Sequence, residues 1–275
     1  MSKHMIKIYI VLIVSAVLCV MFVPAVLGYT SAWAANTTAR IRLLGQPAQT
    51  ADATQDETHI VFVMDDGWDT QYTQGYSILK KYGYPGCIAV IPATVDTDNY
   101  VSYSELADLY MDGWDMLNHT YNHVQLTGMT QDKQAEQMIQ ARDWLTSHGL
   151  KRGSDVIVFP GGLFDAATLD ALSTNHFIGG RSLKSLWTAT AGCILEDVEV
   201  CSIYDDLSFD TVQAAIDKAI RGNSTLVLVI HKIEPVTEDQ HMQVSPEDFS
   251  RIVDYIHDQE ENLSVITMTQ LIDAE

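Results

Sequence analysis

The chain has 275 residues, of which 47% are hydrophobic and 9% aromatic, and it carries a formal net charge of −20. This is enough for one sizeable hydrophobic core, and the length alone does not require a second domain. Two of the 16 basic residues and none of the 36 acidic ones fall in residues 1–34, which leaves −22 for the remainder. The negative charge of this part of the chain excludes nucleic acid and anionic membrane surfaces as partners, and it suits a neutral or cationic substrate. The charge could also serve only to keep a secreted protein in solution.

Residues 1–34 have the pattern of an export signal. Lys3 and Lys7 precede an apolar stretch from Ile8 to Leu27, and Ala32-Trp33-Ala34 presents small residues at the two positions that a signal peptidase reads. The stretch is long for a signal core, so a retained N-terminal membrane anchor is the alternative. In both cases we expect an exported protein, either secreted or held at the cell surface. It would contact the membrane only through this segment, if the segment is uncleaved.

The rest of the chain divides into an arm and a single folded domain. Residues 35–57 are rich in Ala, Thr, Gln and Asp without a sustained period, which indicates a flexible arm or linker. In residues 58–275 short apolar runs alternate with helical segments, and this predicts an α/β fold with a parallel sheet rolled into a barrel. The predicted strands are His59–Met64, Cys87–Pro92, Asp115–Asn118, Asp155–Phe159, Phe177–Gly179, Val198–Ile203, Thr225–Ile230 and Leu263–Met268. The predicted helices cover Thr70–Tyr82, a segment after the Ser102 capping box, Thr130–His148, Ser208–Ile220 and a segment from Ser245-Pro246.

Three cysteines remain beyond the N-terminal segment. Export permits disulfides, so Cys193 and Cys201 could pair across a loop, which would leave Cys87 as a buried apolar thiol. None of the three has the spacing of a metal site.

The residues with chemical potential follow the ends of predicted strands. Asp65-Asp66 ends the first strand, His119 and His123 follow the third, Pro160-Gly161-Gly162 follows the fourth, and His231 ends a late apolar run. In parallel barrels the functional loops leave the carboxyl ends of the strands, so we expect these residues to share one face. This common register is stronger evidence than any single motif. Asp-Gly is a common turn, and an isolated His-x-x-x-His is often structural.

Two imidazoles and one carboxylate make an open metal site. Zinc accepts three such ligands and keeps a position for water, whereas cobalt, nickel or manganese would also fit. The second carboxylate of the acid pair could then take a proton from water whose pKa the cation has lowered. His231 could protonate a leaving group, and the N–H of Gly161 could approach a developing oxyanion closely because glycine has no side chain.

This set of motifs resembles the polysaccharide deacetylases, carbohydrate esterase family 4, from about residue 58 to the C-terminus. The residues that carry the resemblance are Val63-Met64-Asp65-Asp66-Gly67, His119-Thr120-x-x-His123, Phe159-Pro160-x-Gly162 and Leu228-x-x-His231. The resemblance implies a distorted (β/α) barrel of about seven parallel strands, one divalent metal ion, and hydrolysis of N-acetyl, sometimes O-acetyl, groups on an acetylated glycan. It also implies Asp65 as base, Asp66, His119 and His123 as metal ligands, His231 as general acid, and the Gly161 backbone as an oxyanion donor.

The chain departs from the family pattern at several positions. Many members carry an arginine two positions before the proline of the third motif, where it braces the catalytic aspartate, and here that position is Val158. Gly161 replaces the usual aromatic ring, and Lys232 replaces an aspartate after His231. Asp205-Asp206 and Trp187 are the candidates for a fourth motif.

Two other functions compete with the deacetylase. The first is a catalytically impaired carbohydrate-binding module that keeps the fold and the metal. The second is a phosphohydrolase with Asp65 as nucleophile, but such enzymes use a second acid two positions on, where Gly67 stands. The nearby rings of Trp68, Tyr72 and Tyr121 could stack on sugars or could serve as packing.

Overall fold

The computed structural model describes residues 57–188, 193–195, 198–204, 207–237 and 241–274, and these residues lie in one compact unit. Its strands are β1 (Thr58–Met64), β2 (Cys87–Val90), β3 (Asp115–Asn118), β4 (Val156–Val158), β5 (Gly179–Arg181), β6 (Leu186–Thr188), β7 (Cys193–Leu195), β8 (Val198–Ser202), β9 (Thr225–Ile230), β10 (Lys232–Ile233), β11 (Gln243–Val244) and β12 (Leu263–Val265).

The main sheet is parallel over most of its width. Its order is β8-β9-β1-β2-β3-β4-β5, with all seven strands parallel, and β6 and β7 continue it as antiparallel strands. Strand β12 pairs in parallel with the first residues of β1, and β10 pairs with β11 in a separate small sheet. A row of seven parallel strands agrees with the predicted barrel, and the antiparallel β6 and β7 were not predicted.

Helices connect most of the parallel strands. They are α1 (Ser77–Lys80), which continues a π-helical turn over Gln71–Tyr76, then α2 (Tyr103–Met111), α3 (Gln131–Ser147), α4 (Ala166–Thr174), α5 (Phe209–Gly222), α6 (Pro246–Asp258) and α7 (Met268–Ala274). The predicted capping box is present, since the Glu105 N–H donates to Ser102 and the Glu105 carboxylate accepts from the Ser102 N–H. Helices α4 and α7 were not predicted from the sequence. The last strand, β12, ends at Val265 rather than at the predicted Met268, which begins α7.

The core lies on both faces of the sheet. Strands β1 and β9 are buried along their whole length, which explains why they are continuous apolar runs without alternation. Phe62 of β1 packs edge-to-face on Phe249 of α6, with ring centroids 6.0 Å apart. Cys87 is buried, as predicted. Cys201, the predicted disulfide partner of Cys193, is a free thiol, and the Cys193 side chain lies outside the described residues.

The N-terminal segment and most of the predicted arm, residues 1–56, lie outside the described part of the chain. Their boundaries therefore stay predictions. Within the ranges given above, no helix combines the length and the apolar character needed to cross a bilayer.

A buried carboxylate anchors the strand that leads to the predicted histidine motif. Asp115 begins β3 and is fully buried. Its Oδ2 accepts from the backbone N–H of Thr269, in the first turn of α7, at 2.8 Å and also from the Thr269 hydroxyl. Its Oδ1 lies 3.3 Å from Nε of Arg152. This carboxylate therefore joins β3, the start of α7 and the loop before β4.

We expect Asp115→Ala to lower the free energy of unfolding by about 2–4 kcal/mol, because it leaves the partly buried donors of Thr269 and Arg152 without their charged acceptor. Urea denaturation of the purified protein measures the change. The control is Asp143→Ala on the exposed face of α3, for which we expect a change below about 0.5 kcal/mol. Equal stability of the two variants would contradict the anchoring role.

Candidate active site

The acid pair lies in a strained turn at the end of β1. Asp66 has φ 77° and Gly67 has φ 75°, both in the left-handed region. A residue with a side chain rarely adopts this conformation, and it persists only where surrounding contacts enforce it. On a regular strand the two carboxylates would point to opposite faces. The turn instead directs Asp66 toward the loop after β3, while Asp65 faces β5 and β9.

The two predicted histidines converge on Asp66. Nε2 of His119 and Nε2 of His123 each lie 3.3 Å from Oδ1 of Asp66. The histidines belong to a tight loop rather than a helix, because Thr120 and His123 have φ of 61° and 59°. The His119 backbone N–H donates to the carbonyl of Val90, which fixes the start of the loop on the sheet. The three side chains form a cluster that could hold a metal ion.

The donor set fits a divalent cation. Nδ1 of His119 lies 2.7 Å from the carbonyl oxygen of Val158, so Nδ1 carries the proton and the lone pair of Nε2 faces the Asp66 carboxylate. Two lone pairs at this distance repel each other unless a positive charge lies between them. Around a tetrahedral ion with bonds of about 2.1 Å, ligand atoms are about 3.4 Å apart. The observed separations of 3.3 Å match that spacing.

The protonation states also suit metal binding. Burial alone would raise the pKa of the Asp66 carboxyl, but the neighbouring imidazoles, His119 above all, hold that pKa well below its usual value. Burial and the proximity of His119 lower the pKa of His123. A carboxylate that stays ionised and an imidazole that stays neutral are the forms in which these groups bind metals.

Trp68 orients the Asp66 carboxylate. Its indole N–H donates to Oδ2 of Asp66 at 3.1 Å, which leaves Oδ1 for the two imidazoles. The indole stacks on Tyr100 with centroids 4.6 Å apart, and the Lys232 ammonium lies 4.2 Å from the indole ring centroid. These contacts show that the ring takes part in packing, and its alternative role of stacking on a sugar stays a prediction. Tyr72 likewise stacks on Tyr76, with centroids 5.3 Å apart.

The other aspartate forms a second group beside the first. Asp65 is 3% exposed, and its Oδ1 pairs with Nη2 of Arg181, a fully buried residue of β5. Its Oδ2 lies 4.0 Å from Nε2 of His231. Arg181 belongs to none of the sequence motifs and was not predicted as a site residue. One signal was available, because an arginine inside an apolar segment is rarely buried unless it is paired.

Gln71 is another residue that the motifs missed. Its fully buried amide donates to the backbone carbonyl of Asp65 and, at 2.7 Å, to that of His231. The Asp65 N–H also donates to the carbonyl of Ile230 at 2.8 Å. These bonds hold the ends of β1 and β9 together, so the relative position of Asp65 and His231 is determined by backbone contacts.

The remaining candidates have different outcomes. Gly161 has φ 63° in the short turn after β4, and a Cβ there would meet nothing within 4 Å. Neither observation concerns its N–H, whose oxyanion role stays a prediction. Trp187 packs in a buried cluster with Phe159 and Leu172, which makes it a core residue. Positions 205 and 206 lie outside the described residues. Nδ1 of His231 is buried and has no hydrogen-bond partner among the residues that the structure describes.

We expect purified wild-type protein to take up about one zinc or cobalt ion per chain, and His119→Ala and Asp66→Ala to bind at least about 100-fold more weakly, because each loses one of three ligands. Elemental analysis after dialysis against limiting metal provides the measurement. His148→Ala, at the exposed end of α3, is the matched control and should load normally. Equal metal content in all four proteins would disprove the site.

Trp68→Phe tests the orientation of Asp66. The variant keeps an aromatic ring for packing but loses the N–H that holds Oδ2, so we expect metal affinity to fall about 10-fold to 100-fold. Competition with a fluorescent chelator measures this affinity. Trp144→Phe, which removes an indole stacked on His148 away from the cluster, should leave affinity unchanged. A Trp68→Phe variant with wild-type affinity would show that the indole only packs.

Comparison with known sequences agrees with the motifs. The family model described as polysaccharide deacetylase matches residues 52–177. The protein YxkH of Bacillus subtilis (strain 168), whose name describes a candidate polysaccharide deacetylase, is 25% identical over 122 residues. This match covers 44% of the present chain, and the chain spans only 43% of the length of that relative.

Comparison with solved structures concerns the fold. A family 4 carbohydrate esterase from Bacillus anthracis superposes with a TM-score of 0.54 at 15% identity, over 85% of this chain and 91% of that one. A family 4 acetyl xylan esterase from Clostridium thermocellum, solved in complex with a cobalt ion, gives 0.53 at 14% identity, over 78% and 90%. The predicted distorted barrel of parallel strands is confirmed. The resemblance predicted from the motifs is confirmed as well: over residues 52–177 this chain is similar to the polysaccharide deacetylases.

Proposed function

We propose that this chain is an exported, metal-dependent hydrolase that removes N-acetyl groups from a polysaccharide or amino-sugar glycan. The observation that carries the proposal is the convergence of two groups at one end of the barrel. The first is the donor cluster of Asp66, His119 and His123, and the second is the adjacent pair of Asp65 and His231. The family match supports it, since residues 52–177 include all of these except His231.

The cluster defines the role of the cofactor. Asp66, His119 and His123 would hold one divalent ion, with zinc as the first choice and cobalt, nickel or manganese as alternatives. Bound there, such an ion would lower the pKa of water and polarise the acetyl carbonyl. The cobalt ion in the Clostridium thermocellum esterase supports a divalent metal in this fold.

The protein residues supply the proton transfers. Because Arg181 engages Oδ1 of Asp65, the other oxygen, Oδ2, is available to accept a proton from the attacking water. His231 then donates a proton from Nε2 to the departing nitrogen, and the N–H of Gly161 donates to the oxyanion. Water adds to the carbonyl carbon and the carbon–nitrogen bond breaks, so that acetate and a free amino sugar are released.

Substrate class and location rest on the remainder of the chain. A net charge of −22 beyond residue 34 favours a neutral or cationic glycan over an anionic one. The lysine-led apolar stretch of residues 1–34 supports export, either by a cleaved signal or by a retained anchor. The substrate of an exported deacetylase would be a glycan outside the cytoplasm.

One alternative retains support from the structure. A carbohydrate-binding module with a metal but little turnover is favoured by the buried, unpartnered Nδ1 of His231 in the described part of the chain. Arg181 argues against this alternative, because it pairs with Asp65 although position 158 is valine. The phosphohydrolase alternative is weaker, since Arg181 engages one oxygen of Asp65 and Asp66 engages both histidines.

Release of acetate from acetylated chito-oligosaccharides, with acetylated xylan as an ester substrate, tests the proposal. We expect turnover that a chelator removes and zinc or cobalt restores. Asp65→Asn and His231→Ala should each lower kcat by about 10²–10⁴, because each removes a proton-transfer group. Both variants should keep their metal, which separates these roles from that of the ligands.

Asp143→Asn on the exposed face of α3 serves as the control and should turn over like wild type. Metal-loaded wild-type protein that binds chito-oligosaccharides but releases no acetate would favour the binding module. Turnover that persists in Asp65→Asn would reject the assigned base.

A further inference from the structure

An arginine reaches the predicted catalytic base from an unexpected strand. Strands β4 and β5 are parallel neighbours, and their register pairs Val158 directly with Arg181. Directly paired residues of adjacent strands project their side chains to the same face of a sheet. The position that carries an arginine in the family pattern is therefore next to Arg181, one strand away.

We propose that Arg181 is the positioning residue for Asp65. In this chain the arginine that braces the aspartate lies on β5, whereas the family pattern has it on β4. The proposal rests on the proposed function, because it assigns Arg181 a part in the same reaction. Arg181 fixes Oδ1 of Asp65 and so keeps Oδ2 directed toward His231, 4.0 Å from Nε2.

The burial of Arg181 supports a functional rather than a stabilising role. Its side chain is fully buried, and its Nε and Nη1 have no hydrogen-bond partner among the described residues. A guanidinium with unsatisfied N–H groups costs more to bury than the apolar residue that could replace it. The ion pair with Asp65 is the interaction that accounts for a charge at this position.

Two glycines place the strand that carries the arginine. A Cβ at Gly179 would come within 2.6 Å of Ile272, and a Cβ at Gly180 within 2.5 Å of Phe159. Any larger residue would force these neighbours to shift. Glycine at both positions therefore lets β5 approach the core closely enough for Arg181 to reach the end of β1.

A residue swap is the sharpest test, because it keeps the composition of the core. Arg181→Val removes the brace, and Val158→Arg/Arg181→Val returns an arginine to the family position. We expect Arg181→Val to lower kcat for acetate release about 100-fold, with KM within about threefold and metal content unchanged. The swap should recover about 10-fold or more of that loss. Arg142→Val, which breaks an ion pair with Asp155 far along α3, is the control and should retain wild-type kcat.

A second measurement does not depend on turnover. Thermal unfolding of wild type, Asp65→Asn, Arg181→Val and the double variant forms a double-mutant cycle. We expect the double variant to lose less Tm than the two single losses together, because removing both partners leaves no unpaired buried charge. If Arg181→Val does not fold, Arg181→Lys replaces it, with an expected loss of about 10-fold in kcat because an ammonium lacks the planar fork.

Three outcomes would overturn the inference while leaving the proposed function intact. The first is an Arg181→Val variant with kcat within threefold of wild type. The second is a folded swap variant no more active than the single variant, and the third is strictly additive Tm losses. Wild-type protein that releases no acetate from any acetylated glycan would instead overturn the proposed function, and the inference with it.

Discussion

The site depends on the parallel pairing of β1 with β9 at their carboxyl ends. Pairing runs in register from His59 with Thr225 to Met64 with Ile230, so Asp65 and His231 leave the sheet side by side. The backbone bond from Asp65 to Ile230 extends this pairing by one residue, and the buried Gln71 amide then binds both strand ends. Because these contacts are made by backbone groups and one glutamine, they hold the proposed base, Asp65, and the proposed acid, His231, in place before any ligand binds.

Near these strand ends, several residues of the site have strained backbone conformations. Asp66, Thr120 and His123 all have left-handed backbone angles, and two of them are proposed metal ligands. Such conformations cost of order 1–3 kcal/mol each and persist only where surrounding structure enforces them. The buried β3 strand, tied to α7 through Asp115, provides that support for the histidine loop. A cation shared by these ligands would offset part of the cost.

Sequence patterns were sufficient for the parts of the fold that local periodicity determines. The continuous apolar runs identified β1 and β9, and the cap at Ser102 identified α2. Helix α4 was missed although Asp165 and Thr168 form a capping box, because its side chains give only a weak amphipathic pattern. The antiparallel β6 and β7 were missed because short strands at a sheet edge owe their pairing to neighbours rather than to their own sequence.

For the site, the sequence by itself determined which candidate side chains are available and that they follow strand ends: an acid pair, two spaced histidines and a late histidine. Each motif is a short stretch of sequence that follows a strand. Parallel strands bring the residues after their carboxyl ends to the same edge of the sheet, so the motifs are expected to meet there. Only the tertiary structure decided which side chains support them. Arg181 reaches Asp65 from 116 positions away, and Gln71 reaches the carbonyl of His231 from 160 positions away. Contacts of that kind follow from strand register and burial, neither of which can be deduced from the spacing of residues along the chain.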